Sequence, residues 1–126
     1  MEMIIGGAFQ GKSLYAKENY PQIQWKNGGE ISREELFCVQ GVLNFQDYIR
    51  KELEKGAELQ NLAEELLQKN PEVILVCQEV GYGVVPVDAF DREYRELVGR
   101  ICTKLATGSH RVIRIVCGIG TVIKDA

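Results

Sequence analysis

Short apolar runs alternate along the chain with longer stretches in which apolar residues recur at helical spacing. The apolar runs are continuous and rich in β-branched residues, which is typical of strands that are covered on both faces of a parallel sheet. The predicted strands are Met1–Ile5, Leu36–Val39, Val73–Cys77 and Val112–Cys117. Because these strands alternate with helices, the pattern predicts an α/β fold with a mainly parallel sheet flanked by helices.

The stretches between the runs give the predicted helices. They cover Ser13–Tyr20, Asn44–Lys69 with a possible break at Gly56, and a helix capped by Asp88 that ends at Thr107–Ser109. The apolar stripe of the last helix consists of Phe90, Tyr94, Leu97, Ile101 and Leu105. A capping box at Ser32–Glu35 predicts a helical turn.

Two further segments are assigned from their polar and glycine content. The polar segment Gln22–Glu30 is predicted to be a loop, and the residues from Gly118 onward a short tail. Trp25 either covers a cleft as a lid or packs against the surface, and we favour packing.

Composition narrows the class of protein. A chain of 126 residues is expected to form one domain, and its net charge of −3 at pH 7 argues against nucleic acid as a partner. No apolar run is long enough to span a membrane and no signal peptide precedes the first strand, so we expect a cytoplasmic protein. Cys77 and Cys117 lie in apolar runs and are expected to be buried free thiols, whereas a metal site is disfavoured because His110 is the single histidine.

The first strand leads into Gly6-Gly7-Ala8-Phe9-Gln10-Gly11-Lys12-Ser13, which has the spacing G-x-x-x-x-G-K-[ST] of a phosphate-binding loop. We call Gly6–Ser13 the phosphate loop. Its glycines allow backbone N–H groups to surround an anion, and the following helix, with Leu14 in its first turn, adds its positive end. Lys12 is expected to contact the β- and γ-phosphates of ATP or GTP, and Ser13 to bind Mg²⁺.

An acidic residue is expected beside this loop. Glu79 directly follows the strand Val73–Cys77 and Gln78, and ligands in open α/β sheets bind beyond the carboxyl ends of the strands. Glu79 is therefore a candidate ligand of Mg²⁺ or acceptor of a proton, and the alternative is a solvated side chain. Gly81 and Gly83 permit either close approach of a substrate or a tight turn. Arg92 and Arg95 either reach a phosphate or lie in solvent.

Two motifs together resemble a known family. Gly6-Gly7-Ala8 with Gly11-Lys12-Ser13, followed by the Glu79–Pro86 run E-V-G-Y-G-V-V-P, is similar to the adenosylcobinamide kinase/adenosylcobinamide-phosphate guanylyltransferase family. Arg92-Glu93-Tyr94-Arg95 and Gly99-Arg100 also match its next helix. The resemblance implies a RecA-like phosphate-loop fold, oligomers that are typically trimers, and phosphoryl transfer from ATP or GTP to the hydroxyl of a cobinamide.

The chain also departs from the family pattern. The family's guanylylated histidine belongs between the first helix and the second strand, where this sequence has no histidine. We therefore expect a shortened member without guanylyltransferase activity, because phosphoramidate chemistry needs an imidazole. Gln40-Gly41-Val42-Leu43 stands where the family has Asp-Cys-Leu-Thr, which would remove a carboxylate near the metal, and Gln78 and Cys102-Thr103 replace family asparagine and glutamine residues.

The sequence thus predicts a Mg²⁺-dependent kinase that resembles cobinamide kinase, with Lys12 and Glu79 as its catalytic residues. The alternative is a nucleotide-binding regulatory or assembly protein without catalysis, and a kinase for another small alcohol is a third possibility. We expect a nucleoside triphosphate and a cobinamide-like molecule as ligands, and other copies of the chain as partners.

Overall fold

A computed structural model of the chain describes residues 1–80 and 88–126. Its sheet has the strand order β2-β3-β4-β1-β5-β6. The strands are β1 (Glu2–Gly6), β2 (Trp25–Asn27), β3 (Gly41–Leu43), β4 (Ile74–Gln78), β5 (Arg111–Val116) and β6 (Ile119–Asp125). Neighbouring strands run parallel from β2 through β5, and β6 is antiparallel to β5.

Helices cover both faces of this sheet. They are α1 (Lys12–Asn19), α2 (Arg33–Leu36), α3 (Phe45–Glu54), α4 (Leu62–Lys69) and α5 (Ala89–Gly108). The larger core lies between the sheet and the last four helices, and a smaller core lies under α1 around Ala16. The mainly parallel α/β architecture predicted from the apolar pattern is therefore confirmed.

The helix boundaries follow the predicted signals closely. The predicted break at Gly56 is confirmed, since α3 ends at Glu54 and Gly56 has a φ of +76°. Asp88 caps α5 as predicted, because its carboxylate accepts a hydrogen bond of 2.7 Å from the N–H of Phe90. Ser32 and Glu35 form the predicted capping box at the start of α2.

The prediction of a strand at Leu36–Val39 was wrong. Leu36 closes α2, and the strand comes later, as β3 at Gly41–Leu43. The capping box drives residues 33–36 into a helical turn, which buries Leu36 in the core as a helical residue.

The predicted loop at Gln22–Glu30 was wrong in part, because it contains β2 and a short 3-10 helix at Gly28–Glu30. Trp25 belongs to β2 and packs edge-on against Tyr20, with a centroid separation of 6.4 Å. Its ring also covers Gly41, where a Cβ atom would lie 2.6 Å from the indole. Packing, the favoured interpretation of Trp25, is confirmed.

The tail predicted after Gly118 is instead β6, the second strand of a hairpin. The turn between β5 and β6 consists of Cys117 and Gly118, which both have positive φ angles, of 51° and 75°. Cys77 is buried as predicted, but the prediction for Cys117 was wrong because a turn residue at the sheet edge is exposed. Among the helices in the described part of the chain, none is sufficiently long and apolar to cross a membrane.

Candidate phosphate-binding site

The phosphate loop connects β1 to α1 at the carboxyl edge of the sheet. β1 ends at Gly6, α1 begins at Lys12, and Gly11 precedes the helix with a φ of +83°. That left-handed conformation favours glycine and turns the backbone sharply into the helix. The strand, loop and helix therefore follow one another as the motif requires.

Lys12 is the one charged residue of the phosphate loop, and it is buried. Its methylene stem packs over Gly6, and its ammonium donates a hydrogen bond of 2.7 Å to the carbonyl oxygen of Gly7. Burial lowers the pKa of Lys12, and the acidic groups of Cys77 and Glu79 oppose that shift. The cation thus points back into the loop and has lost much of its hydration, which strengthens its attraction for an anion bound there.

A feature not foreseen from the sequence is the clamp between the loop and the β5–β6 turn. The side-chain oxygen of Gln10 accepts a hydrogen bond of 2.6 Å from the N–H of Cys117. The carbonyl oxygen of Gln10 accepts another, of 2.8 Å, from the N–H of Gly118. The hairpin turn therefore fixes the loop from outside, while the side chain of Phe9 at its tip is fully exposed.

Glu79 lies beside the loop, at the carboxyl end of β4. Its N–H donates a hydrogen bond of 2.7 Å to the carbonyl oxygen of Gly6, where the loop begins. Glu79 and the loop residues Gly7, Ala8 and Gln10 line one cavity of about 330 Å³. Glu79 therefore lies beside the phosphate loop, as its position directly after a predicted strand led us to expect.

Arg114 is a residue of this cavity that sequence reasoning missed. Its guanidinium holds both carboxylate oxygens of Glu79, with Nε 3.0 Å from Oε1 and Nη2 3.3 Å from Oε2. The available signal was a charged residue at the centre of an otherwise apolar strand, Val112-Ile113-Arg114-Ile115-Val116. Pairing with β1 brings Arg114 close to the phosphate loop, because Arg114 is in register with Ile5, the residue before Gly6.

The side chains that could hold Mg²⁺ at this edge are Ser13 and Glu79. Ser13 lies in the first turn of α1, next to Lys12. One hydroxyl and one carboxylate fit Mg²⁺, which keeps several waters and takes phosphate oxygens as further ligands. Among the residues described, no three His, Cys, Asp or Glu side chains form a cluster that could hold a metal without a bound ligand.

The suggestion that Gln40 stands at the position of a metal-binding carboxylate was wrong. The carbonyl oxygen of Gln40 pairs with the N–H of Ile74 at the start of β4, which places Gln40 at the amino edge of the sheet. The residue that follows β3 at the carboxyl edge is Asn44, so an amide stands there. The error came from the misplaced strand at Leu36–Val39.

The two arginine candidates, Arg92 and Arg95, belong to α5. Arg95 lines a surface depression on α5 with Arg100 and Lys104, apart from the cavity of the phosphate loop. Arg92 is exposed on the same helix. Gly81 and Gly83, with the rest of 81–87, lie outside the described residues.

His110 lies at the amino edge of the sheet, at the opposite end of β1 from the phosphate loop. Its Nε2 is 3.4 Å from a carboxylate oxygen of Glu2, and its Nδ1 is 3.3 Å from the amino terminus of Met1. Because β1 has five residues, roughly 16 Å of strand separates this group from the loop.

Comparison with known proteins shows which family the chain belongs to. Residues 36–123 match the family model described as cobinamide kinase / cobinamide phosphate guanyltransferase, CobU, over more than half of the chain. The chain belongs to this family. The phosphate loop precedes the matched residues, so its assignment depends on its own motif and on the strand, loop and helix around it.

Two curated relatives share the similarity. They are the bifunctional adenosylcobalamin biosynthesis proteins CobU of Escherichia coli, 37% identical over 78 residues, and of Salmonella typhimurium, 36% identical over 78 residues. Each alignment covers 62% of this chain and 43% of the relative. The chain thus matches less than half the length of these CobU proteins. Its fold is the RecA-like phosphate-loop architecture of their family.

Proposed function

We propose that this CobU-family chain binds a nucleoside triphosphate with Mg²⁺ in the phosphate loop and transfers its terminal phosphoryl group to the hydroxyl of a cobinamide-like alcohol. The observation that carries the proposal is the shared cavity in which Glu79 and the loop residues Gly7, Ala8 and Gln10 face one another. The names of the two relatives connect the family to adenosylcobalamin biosynthesis.

In the proposed reaction, the alcohol oxygen forms a new bond to the γ-phosphorus while the bond from that phosphorus to the β-phosphate oxygen breaks. The nucleoside diphosphate leaves, and the hydroxyl proton passes to Glu79 or to water. Lys12 and the backbone N–H groups of the loop stabilise the transferring charge, because they are fixed before the reaction begins. Ser13 and Glu79 would hold Mg²⁺, which would supply positive charge to offset that of the phosphates.

Guanylyl transfer is not part of the proposed function. A phosphoramidate intermediate needs an imidazole within reach of the α-phosphate. The single histidine of the sequence, His110, contacts Glu2 and Met1 at the opposite edge of the sheet. Binding of other copies of the chain stays a prediction, as does the organisation of residues 1–126 as one domain.

A second candidate is a nucleotide-binding regulatory protein without catalysis. Two observations favour it: Arg114 occupies both oxygens of Glu79, and Asn44 rather than an acid follows β3. A carboxylate that is ion-paired is a poorer metal ligand and base than a free one.

The experiment that separates the two is phosphorylation of adenosylcobinamide. The protein is incubated with Mg²⁺ and γ-labelled ATP or GTP, and the label in the cobinamide fraction is measured. The test variant is Lys12→Ala. The matched control is Lys17→Ala, since Lys17 is exposed on the same helix. Labelled product that depends on Lys12 and not on Lys17 supports the kinase, whereas nucleotide binding without product supports the regulator.

A further inference from the structure

The pair formed by Arg114 and Glu79 crosses the strand that carries the phosphate loop. β4 and β5 are the two neighbours of β1, with Gly6 opposite Gln78 on one side and Ile5 opposite Arg114 on the other. Neighbouring strands are about 4.8 Å apart, so a contact between residues of β5 and of the end of β4 must pass over β1. The guanidinium therefore lies over the end of β1, where the loop leaves the sheet.

Arg114 and the loop share the same space. The cavity of about 330 Å³ is lined by Gly7, Ala8 and Gln10 of the loop together with Glu79 and Arg114. The Arg114 side chain is 46% exposed and that of Glu79 is 14% exposed, so the guanidinium lies on the open side of the cavity. A planar guanidinium offers paired N–H donors that match a phosphate as well as a carboxylate.

The charges at this cavity favour a change in the partner of Arg114, from the carboxylate of Glu79 to a bound phosphate. Among the described residues that line the cavity, Arg114 supplies a cation and Glu79 a carboxylate, and the ammonium of Lys12 lies 2.7 Å from the carbonyl oxygen of the lining residue Gly7. A triphosphate adds several negative charges next to Arg114, while Mg²⁺ competes with Arg114 for Glu79. Both changes move the guanidinium away from the carboxylate and toward the phosphate.

On this basis, and resting on the nucleotide site proposed above, we propose that Arg114 is a phosphate-binding residue of this chain. It pairs with Glu79 when the site holds no nucleotide and binds the terminal phosphate of a nucleoside triphosphate when one enters. The pair thereby makes the site selective for triphosphate over diphosphate, and releases Glu79 for Mg²⁺ at the same step.

The test is the affinity for triphosphate and for diphosphate, measured by calorimetry with the non-hydrolysable analogues AMP-PNP and GMP-PNP and with ADP and GDP. Arg114→Gln is expected to weaken analogue binding by about tenfold or more and to change diphosphate binding by less than about twofold. Arg114→Lys, which keeps the charge, is expected to lose less. Arg100→Gln, on the exposed face of α5, is the matched control and leaves both affinities unchanged.

A second comparison separates phosphate binding from a merely structural role of the ion pair. Without Mg²⁺, Glu79→Gln is expected to strengthen analogue binding, because the carboxylate no longer competes for Arg114. If Arg114 only supports the fold, Glu79→Gln and Arg114→Gln both weaken binding, and the inference is overturned. The inference is also overturned if Arg114→Gln lowers the affinities for triphosphate and diphosphate equally, or if it lowers neither affinity.

The variant Lys12→Ala distinguishes failure of the proposed function from failure of the role of Arg114. If Lys12→Ala, measured in the same series, leaves analogue binding unchanged, the phosphate loop is not the nucleotide site and both proposals fall. If Lys12→Ala abolishes binding and Arg114→Gln does not affect it, only the role of Arg114 falls. Thermal unfolding of each variant confirms that the comparison is made between folded proteins.

Discussion

The first two glycines of the phosphate loop differ in the space around them. A Cβ atom on Gly6 would lie 2.6 Å from the carbonyl oxygen of Ile115 and 3.3 Å from the stem of Lys12. On Gly7 the nearest atom would be 3.8 Å away, which is an ordinary contact. The two neighbouring glycines therefore differ: Gly6 is required by close packing, whereas Gly7 leaves space on the side of the cavity.

This difference gives a stability prediction. Gly6→Ala is expected to lower the free energy of unfolding by about 2 kcal/mol, because backbone atoms of β5 must move. Gly7→Ala, the matched control, is expected to change it by less than about 0.5 kcal/mol. Urea unfolding measures both, and equal losses for the two variants would show that the packing around Gly6 is described wrongly.

The burial of Lys12 gives a pH prediction. Because burial lowers the pKa of Lys12 below 10.5, the free protein loses this proton at a lower pH than an exposed lysine does. Bound phosphate favours the charged form, so binding retains the proton, and affinity falls as the pH rises through the lowered pKa. Calorimetry from pH 7.5 to 10 in buffers of different ionisation enthalpy should detect proton uptake, which Lys17→Met retains and Lys12→Met loses. Proton uptake that persists in Lys12→Met would assign the titration to another group.

At the scale of elements, the hairpin β5–β6 does more than close the sheet. Its turn donates two backbone hydrogen bonds to Gln10 and so fixes the phosphate loop. The turn needs positive φ at both residues, which Gly118 accepts easily and Cys117 does not. The chain holds Cys117 in a strained conformation at the point where the hairpin meets the loop.

Replacing Cys117 therefore offers a direct test. Cys117→Asn is expected to raise the free energy of unfolding by about 0.5 kcal/mol, since asparagine tolerates the left-handed region, and to keep the N–H donor to Gln10. Cys38→Asn, at another exposed thiol without a positive φ, is the control and is expected to give no gain. Chemical denaturation measures both variants, and a gain in Cys38→Asn alone would contradict the description of the turn.

Elements also show what the sequence predicts and what it leaves out. Long helices and buried strands follow from periodicity, as β4 and α5 do. β2 and β3 have only three residues each, so they bury too little for a distinct pattern and depend on their neighbours for pairing. The loop motif predicted Lys12, and the position of Glu79 after a buried strand predicted that it lies at the same edge of the sheet, because parallel strands end at one edge. Arg114 was missed because the sequence pattern does not give the register of β5 against β1, which pairs Arg114 with Ile5.

At the scale of the whole molecule, the two edges of the sheet differ in chemistry. The carboxyl edge holds the phosphate loop, Glu79 and Arg114 around one cavity. The amino edge holds Glu2, Tyr20 and His110 in a network that includes the amino terminus. The proposed phosphate site thus lies at the carboxyl edge, and the network around His110 lies at the opposite edge.

The separation predicts the outcome of a labelling experiment. Incubation with Mg²⁺ and α-labelled GTP is expected to leave no GMP covalently attached to the protein, because His110 lies at the far edge. Autoradiography after denaturing electrophoresis checks this, with His110→Gln as the control. A labelled protein band that is lost in His110→Gln would show that the histidine reaches nucleotide after all.

The most direct test of the central claim is equilibrium binding of Mg²⁺-ATP and Mg²⁺-GTP to the wild-type chain and to Lys12→Ala. Removal of the buried cation of the phosphate loop should weaken binding by about 100-fold, with thermal unfolding confirming that the variant is folded. We predict that at least one triphosphate binds the wild-type chain and that Lys12→Ala loses this affinity. Absence of binding by either nucleotide, or equal affinity in the two proteins, would contradict the account.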